Sequence, residues 1–280
     1  METLSTTVSI GERKAILRNC PLCGTSSSSA TRSKYSDSIW HMNECAECNF
    51  IYLVAAPIYK ELVSEFSWEK TAADRQVKRK DKFPIMYWLS KKTRWRLHII
   101  KKKQVEHLLM QYVTSGSVVD IGCGKGDQLK RLPAPYVPYG IEISEAEASY
   151  AVTHAESRNG GIVNKSALEG LKTFPENFAS GVIMRSYLEH EAYPREVLEE
   201  TYRVLDHNGV AIIKVPNYGC LNRIVLSDKW SGFRFPDHLN YFTPHTLRTM
   251  CENAGFTVRR FGVMDKLPFS DNMWLVAGKQ

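Results

Sequence analysis

Three glycines at alternate positions, Gly122, Gly124 and Gly126, are the feature that most constrains what this chain can fold into. The β-branched residues Val118 and Val119 precede them and predict a short buried strand, and the residues that follow have the pattern of a helix. Glycine is needed where the backbone approaches a ligand closely, because a Cβ atom would block the approach or forbid the dihedral angles. A strand, a glycine-rich turn and a helix in this order therefore predict a ligand site at the end of a strand.

The spacing of the glycines indicates which ligand binds. A dinucleotide-binding turn has the pattern G-x-G-x-x-G, whereas here the third glycine comes one residue early and Asp120 stands two residues before the first. The segment Asp120-Ile-Gly-Cys-Gly-Lys-Gly resembles motif I of the class I S-adenosylmethionine-dependent methyltransferases. The resemblance implies that the carboxylate and the glycine backbone hold the methionine end and the ribose of the cofactor. A turn without a ligand and a nicotinamide enzyme are the alternatives.

Strand and helix patterns alternate from residue 108 to the end, which predicts a parallel sheet with helices on both faces. Glu142, twenty residues after Gly122, resembles the motif II carboxylate that accepts both ribose hydroxyls in this family. Ala167 stands where the family often has an Asp near the adenine, so Ser166 and the backbone of Ala167 and Leu168 are the expected adenine contacts. The resemblance assigns these residues to the cofactor: Asp120, Gly122, Cys123, Gly124, Gly126, Glu142, Ile143, Ser166, Ala167, Leu168 and Arg185.

Four of the seven cysteines form two C-x-x-C pairs, Cys20 with Cys23 and Cys45 with Cys48, with 21 residues between the pairs. Two such turns brought together by a hairpin give tetrahedral thiolate coordination, which suits zinc. Gly24 and Asn49 follow the pairs, and both residue types tolerate the positive φ that such a turn needs. Four thiolates leave no open position for water, so the ion is expected to be structural. An iron centre, a redox pair and an empty site are the alternatives.

The positive charge of the chain is concentrated in one segment. The formal net charge is +7, and the segment from Arg75 to Lys103 has twelve Lys or Arg residues against the single acid Asp81. This segment predicts a basic helical connector, for which three roles are open. The first is a solvated helix whose aromatic face packs on the main domain. The second is a basic surface that attracts an anionic substrate such as a nucleotide-linked sugar. The third is a contact with nucleic acid or a membrane surface.

Two histidines are candidates for a general base that removes a proton from the methyl acceptor. Leu188-Glu189-His190 resembles the Leu-Glu-His that follows strand four in ubiquinone-type O-methyltransferases, and His190 is either a base or a residue that shapes the pocket. Some relatives hold a metal ion here with a further carboxylate. Ser186 and Tyr187 occupy those positions in this chain, so the sequence predicts no catalytic metal.

The segment Phe235-Pro-Asp-His-Leu-Asn-Tyr-Phe-Thr-Pro contains the second candidate. It resembles a Pro-x-His-Leu-x-x-Phe-Thr-Pro segment of zinc-ribbon methyltransferases found among enzymes that modify polysaccharides and antibiotic sugars. His238 is the preferred base, and its alternative is a capping or positioning role at the start of the helix after Thr243. Loops that follow strands commonly hold function. The remaining candidates in this stretch are Tyr241 for catalysis and Asn217, Tyr218, Trp230 and Phe233 for binding the substrate.

Taken together, these patterns predict an α/β protein with a Rossmann-like seven-stranded methyltransferase sheet, an N-terminal zinc ribbon and a helical connector. The expected boundaries are 1–58 for the ribbon, 59–107 for the connector and 108–280 for the cofactor domain. The first hypothesis is S-adenosylmethionine-dependent methyl transfer to a small molecule, most simply a hydroxyl of a sugar or natural-product intermediate. An RNA methyltransferase that uses the ribbon and connector is the alternative, and a scaffold without activity is the third.

The location of the protein is predicted from two negative features of the sequence. No apolar run approaches the roughly 20 residues of a membrane-spanning helix, and the N-terminus has neither the basic start nor the apolar core of a secretory signal. We therefore expect a cytoplasmic protein. Cysteines in that reducing compartment favour a metal site over disulfides.

Overall fold

The structure is a computed structural model that describes residues 7–10, 13–58 and 105–280, so most of the predicted connector lies outside the described residues. The strands are β1 (Thr7–Ile10), β2 (Arg13–Leu17), β3 (Thr31–Arg32), β4 (Met42–Glu44), β5 (Ile51–Leu53), β6 (Ala55–Pro57), β7 (Gly116–Ile121), β8 (Tyr136–Ile141), β9 (Gly161–Val163), β10 (Ala179–Arg185), β11 (Leu205–Pro216), β12 (Asn240–Tyr241), β13 (Thr257–Arg260) and β14 (Asn272–Gly278). The helices are α1 (Val105–Leu109), α2 (Glu145–Glu156), α3 (Ala167–Leu171), α4 (Pro194–Val204), α5 (Leu221–Leu226) and α6 (Pro244–Asn253).

A seven-stranded sheet in the order β13-β14-β11-β10-β7-β8-β9 forms the centre of the protein. β14 is antiparallel to β11 and β13, and the other neighbouring strands are parallel. This confirms the predicted α/β fold with a seven-stranded sheet, which is mixed because its last strand in the chain is antiparallel. The strand order reverses between β7 and β10, and such a point opens a crevice for ligands at the carboxyl ends of the strands.

The four-stranded sheet of the N-terminal module includes one strand from the far end of the chain. Its order is β12-β5-β4-β3, and β12 pairs with β5 through Asn240 opposite Tyr52 and Tyr241 opposite Ile51. A further sheet of β1, β2 and β6 extends the module. The cysteine-bearing module is therefore joined by backbone hydrogen bonds to the segment that carries His238.

Two helices of the main domain begin where the sequence predicts, although α4 ends at Val204, two residues before the expected Asp206. Pro194 is the first residue of α4, and Thr243 caps α6 in a capping box with Thr246. Gly255 has a φ of +94° just after α6, which is the left-handed conformation that ends helices. Apolar residues of α4 and α6, such as Leu198 and Leu247, are fully buried against the sheet.

Three local predictions are wrong. The residues after Gly126 form only a 3-10 turn at Leu129–Arg131, because Pro133 follows and ends the turn. They therefore present no long helix start to a ligand. The residues Ile39–Met42 predict a strand of the ribbon, but this strand begins only at Met42 and runs to Glu44. The strand predicted from Val210 starts at Leu205, since the exposed turn around Asn208 bulges out of one continuous strand.

No helix within the described ranges has both the length and the apolar composition needed to cross a lipid bilayer.

Candidate active site and cysteine cluster

The glycine loop at the end of β7 has the backbone that only glycine adopts readily. Gly122, Gly124 and Gly126 have φ angles of +70°, +53° and +78°. A Cβ atom on Gly122 would lie 2.9 Å from the ring of Tyr187, and one on Gly126 would lie 3.0 Å from the Cβ atom of Ala151. The loop is therefore glycine-rich for two reasons, its conformation and its packing.

Glu142 lies just beyond the end of β8 and faces this loop. Its Oε2 accepts a hydrogen bond from the Gly124 N–H at 2.9 Å, and its Oε1 accepts one from the Ser144 N–H at 2.8 Å. The side-chain amide of Asn164 donates to the carbonyl oxygens of Glu142 and Ile143 at 2.8 and 3.1 Å. The Glu142 carboxylate, which is predicted to bind the ribose, is thus held in a fixed orientation. Each of its oxygens has a further lone pair that can accept a hydrogen bond from a bound molecule. Sequence reasoning missed Asn164, which lies directly after β9.

Asp120 lies near the end of β7 beside this loop and is only 4% exposed. Burial raises the pKa of Asp120, Arg185 opposes the shift and Glu142 adds to it, so that the resulting pKa is about 7. A buried carboxylate with a raised pKa gains stability when a cationic ligand binds beside it.

The other predicted cofactor residues lie around the same loop. Cys123 is buried, and burial raises the pKa of its thiol above its usual range. Ser166 caps α3, Ala167 is buried in that helix, and Ile143 is exposed. Arg185, at the end of β10, contacts Gln128 at 3.5 Å. Their roles toward a cofactor stay predictions.

Four polar side chains from the segments after β10 and before β12 lie together, and we call them the acceptor-side cluster: Glu189, His190, Asp237 and His238. The rings of His190 and His238 pack edge to face with centroids 4.7 Å apart. His190 Nδ1 donates to the Asp237 carbonyl oxygen at 2.8 Å, and His238 Nδ1 donates to the Gly232 carbonyl oxygen at 2.8 Å. The structure therefore brings together the two histidines that the sequence proposes as bases.

The environments of the two histidines differ. Burial lowers the pKa of His238 well below its usual value, and the neighbouring His190 lowers it further. Burial also disfavours the charged form of His190, but Asp237 and Glu189 outweigh this and raise its pKa. Burial raises the pKa of Glu189. Sequence reasoning missed Glu189 and Asp237 as functional candidates, although each directly precedes a predicted base.

Asn240 connects the acceptor-side cluster to the cysteine module. Its side-chain amide donates to the carbonyl oxygens of Leu188 and Glu191 at 2.8 and 2.7 Å. Its Oδ1 accepts a hydrogen bond from Arg18 Nη2 at 2.6 Å. Burial lowers the pKa of Arg18 to about 10, so the guanidinium stays charged at neutral pH. The loop that carries His190 is thus braced by a residue of the N-terminal module.

Replacing Arg18 by Met tests this brace. The variant leaves the buried Asn240 oxygen without its donor, and we expect the free energy of unfolding to fall by about 2 kcal/mol, as for a lost hydrogen bond to a charged group. Urea unfolding measures the change. Arg32→Met is the matched control, because Arg32 is exposed on β3. Equal stability of the two variants would contradict the bracing role.

The aromatic residues predicted to bind substrate lie mostly in a buried cluster between the cysteine module and the main domain. Trp230 is 2% exposed, and its indole N–H donates to Asp271 at 2.9 Å. Tyr218 packs edge to face on Trp230, and Phe233 is partly buried beside both. The side-chain oxygen of Asn217 accepts from the Gly219 N–H. Trp230 is therefore a packed residue of this cluster. Its predicted role in substrate binding, like that of the other three residues, stays a prediction.

Tyr241 is the third predicted catalytic residue. Its ring lies in the same aromatic cluster, with a centroid 6.5 Å from that of His238. Burial raises the pKa of its hydroxyl. That hydroxyl is buried and has no hydrogen-bond partner among the described residues. The Tyr187 hydroxyl, by contrast, has a hydrogen-bond partner, because it donates to Glu191.

The four cysteines of the C-x-x-C pairs lie together, with Sγ atoms within 4.8 Å of one another. Cys20 Sγ is 3.5 Å from Cys48 Sγ, and Cys23 Sγ is 3.5 Å from Cys45 Sγ. Each pair sits on a tight turn that is closed by a backbone hydrogen bond and followed by Gly24 or Asn49, with φ angles of +79° and +56°. The predicted turn geometry is therefore confirmed.

Comparisons with known proteins agree with this fold. A chain in the structure of a Haloferax volcanii complex between the Trm112 methyltransferase activator and a methyltransferase matches with a TM-score of 0.51 at 16% identity. The match covers 71% of this chain and 96% of that chain. A SAM-dependent methyltransferase from Archaeoglobus fulgidus matches with a TM-score of 0.47 at 19% identity, covering 70% of this chain and 100% of that chain. At 16% identity the first of these two matches shows the fold alone.

The sequence itself supplies the more specific relationship. No curated protein matches the chain. The family model described as "Methyltransferase domain" matches residues 94–260, which include the glycine loop, Glu142 and the acceptor-side cluster. By this match over more than half of its length, the chain belongs to the methyltransferase domain family.

Proposed function

We propose that this protein transfers a methyl group from S-adenosylmethionine to a hydroxyl of a small molecule, such as a sugar or a natural-product intermediate. The observation that supports the proposal is that the loop carrying His190 contacts the glycine loop through Tyr187. The ring of Tyr187 packs on Gly122, and His190, three residues later, is in ring contact with His238. We therefore place the methyl acceptor beside Tyr187, between the cofactor and these side chains.

The residues around the glycine loop fit the cofactor. An ideal Cβ on Gly124 would project beside only the Glu147 carboxylate, so this glycine leaves the space above the loop open. Asp120 is buried and gains from a cation, and Glu142 is oriented to accept hydroxyl protons. S-adenosylmethionine, when bound, supplies an electrophilic methyl group on a sulfonium. We assign its cationic end to Asp120 and its ribose to Glu142.

The acceptor-side cluster would act on the methyl acceptor. His238, with His190 beside it, would remove the hydroxyl proton, so that the acceptor oxygen forms its bond to the methyl carbon as the sulfur–carbon bond breaks. Positioning supplies much of the rate in such a displacement, and a positioned base contributes about 10²- to 10⁴-fold. Tyr241 completes the wall on which the acceptor would lie.

The pH dependence of cofactor binding tests the role of Asp120. Its pKa of about 7 in the free protein means that binding a cation must first shift the carboxyl to its ionised form. We expect the affinity for S-adenosylmethionine to rise from about pH 6 to pH 8, with proton release, because the cation lowers this pKa. Calorimetry in buffers of different ionisation enthalpy measures the protons released. Asp120→Asn should weaken binding and remove the pH dependence; a wild-type affinity independent of pH would contradict the assignment.

We also propose that the cysteine cluster holds a structural Zn²⁺ ion. Four thiolates at about 2.3 Å from zinc have sulfur atoms roughly 3.8 Å apart in a tetrahedron, and the 3.5 Å pairs are close to that spacing. The ion would hold together a module of short strands and join it to the acceptor-side cluster through β12. Metal analysis of the purified protein should find one zinc ion per chain in this site.

The function itself is tested by incubating the protein with S-adenosylmethionine and a panel of hydroxylated acceptors, including nucleotide sugars. Mass spectrometry should find one product heavier by a methyl group and an equal amount of S-adenosylhomocysteine. Tight RNA binding that falls steeply with salt, with methylated RNA as the product, would instead support the RNA alternative. The basic segment on which that alternative depends lies outside the described residues.

A further inference from the structure

Three side chains of the acceptor-side cluster bring possible metal-ligand atoms close together. Glu189, His190 and His238 each offer one such atom, and these atoms lie within 4.8 Å of one another. Glu189 Oε1 is 3.9 Å from His190 Nε2. A divalent ion with ligand bonds of about 2.0 to 2.2 Å holds its ligand atoms roughly 3 to 4 Å apart. Small side-chain rotations would therefore complete a coordination set.

In both histidines the Nδ1 atom carries the proton, which leaves the Nε2 atom to bind a metal ion. The Nδ1 atoms of His190 and His238 each lie 2.8 Å from a backbone carbonyl oxygen, of Asp237 and Gly232 respectively. A carbonyl oxygen only accepts, so each Nδ1 carries a proton, and in the neutral imidazole each Nε2 keeps its lone pair. Metal-binding histidines commonly donate their other N–H to a carbonyl or carboxylate in this way. The Asp237 carboxylate, 3.1 Å from His190 Nδ1, adds to this support.

Glu189 provides an independent indication that an ion belongs here. Its side chain is 2% exposed, and its Oε2 has no hydrogen-bond partner among the described residues. A buried carboxylate oxygen without a partner is costly, and such an atom commonly marks the position of an ion or water. A cation bound between Glu189 and the two imidazoles would satisfy it.

We infer that Glu189, His190 and His238 form a binding site for a divalent transition-metal ion on the acceptor side of the methyl-transfer site. Two imidazoles and one carboxylate suit ions such as Zn²⁺, Fe²⁺, Co²⁺ or Mn²⁺ and leave coordination positions open. Such an ion lowers the pKa of a hydroxyl bound to it. The inference deepens the proposed function and rests on it for its role: with both Nε2 atoms on the ion, the histidines would hold it rather than take the proton, and the acceptor hydroxyl would release its proton to water as its oxygen takes the methyl group.

The third ligand explains why the sequence predicts no metal here. Relatives with a metal at the Leu-Glu-His position add a carboxylate just before it in the chain, where this chain has Ser186 and Tyr187. In the folded chain His238, from the segment after the fifth parallel strand, takes that place. Arg234 and Lys214 also act electrostatically on Glu189, so we expect moderate rather than tight binding of the ion.

Titration with Mn²⁺ tests the site without any methyl acceptor. Protein with a zinc-loaded cysteine cluster is titrated while electron paramagnetic resonance reports free Mn²⁺; thiolates select softer ions, so the cysteines should not contribute. We expect one Mn²⁺ ion per chain. Glu189→Gln and His238→Asn should each weaken binding by about 100-fold or more, since losing even an outer-shell partner costs about 10- to 100-fold. His245→Asn, an exposed histidine on α6, should bind as the wild type does.

Circular dichroism and zinc content show that each variant is folded. A wild-type protein that binds no Mn²⁺, or variants that bind it as tightly as the wild type, would overturn the site. Methyl-transfer assays in parallel separate the two proposals. Mn²⁺ binding without methyl transfer contradicts the proposed function and leaves the metal site standing, whereas methyl transfer without a second metal ion contradicts the metal site alone.

Discussion

His238→Ala is expected to abolish methyl transfer while leaving the binding of S-adenosylmethionine unchanged. The residue is 4% exposed and its ring contacts His190, whereas the Glu142 carboxylate is bonded to Gly124 and Ser144. Removing a group that acts on the transferred proton costs about 10²- to 10⁴-fold in turnover. The same loss is expected whether His238 takes the proton itself or holds a metal ion that activates the acceptor.

Two measurements on this variant separate catalysis from cofactor binding. Single-turnover assays measure the rate of methyl transfer, and isothermal titration calorimetry measures the affinity for S-adenosylmethionine. His245→Ala is the control, because it removes an exposed imidazole seven residues away in the chain. Activity within tenfold of the wild type, or a lost cofactor affinity, would show that His238 has a structural role instead.

Removing the metal from the cysteine cluster is expected to have the second large effect. Structural zinc contributes roughly 10 to 16 kcal/mol of apparent binding free energy in small zinc domains, and the described N-terminal module has only short strands around the cluster. Cys45→Ser should therefore unfold the module. Because β5 pairs with β12 and Arg18 donates to Asn240, the loops that carry His190 and His238 should lose their positions with it.

The Cys45→Ser variant should affect the acceptor-side cluster but not the predicted cofactor site. Cys45→Ser should lose its zinc, measured by metal analysis, and should lose methyl transfer. S-adenosylmethionine should still bind, because Glu142 is held by the glycine loop and Ser144 within the main domain. Cys251→Ala, at a buried cysteine of α6 outside the cluster, should keep its zinc. A Cys45→Ser protein with full activity would contradict the coupling.

The parts of the fold that follow local rules could be predicted from the sequence. The glycine spacing, the position of Glu142 and the capping signals around Thr243 are all local, and the structure has each where the sequence places it. The C-x-x-C pairs likewise indicated a four-cysteine cluster, because each turn needs only its own residues and a partner turn.

What could not be predicted depends on contacts between distant segments. Nothing in the sequence of β5 indicates that its partner is β12, nearly 200 residues later in the chain. The burial of Trp230 likewise follows from the module packed against it, so an aromatic loop that suggested a substrate pocket is largely a core. Glu189 became a candidate only when folding left its buried oxygen without a partner.

The central claim is that this member of the methyltransferase domain family moves a methyl group to a hydroxyl of a small molecule. The most direct measurement uses S-adenosylmethionine with a deuterated methyl group and a panel of nucleotide sugars and other hydroxylated metabolites, analysed by mass spectrometry. The account predicts one product that gains the labelled methyl on oxygen, formed by the wild type and not by His238→Ala. A labelled methyl on RNA or on nitrogen, or no transfer by a protein that binds the cofactor, would contradict it.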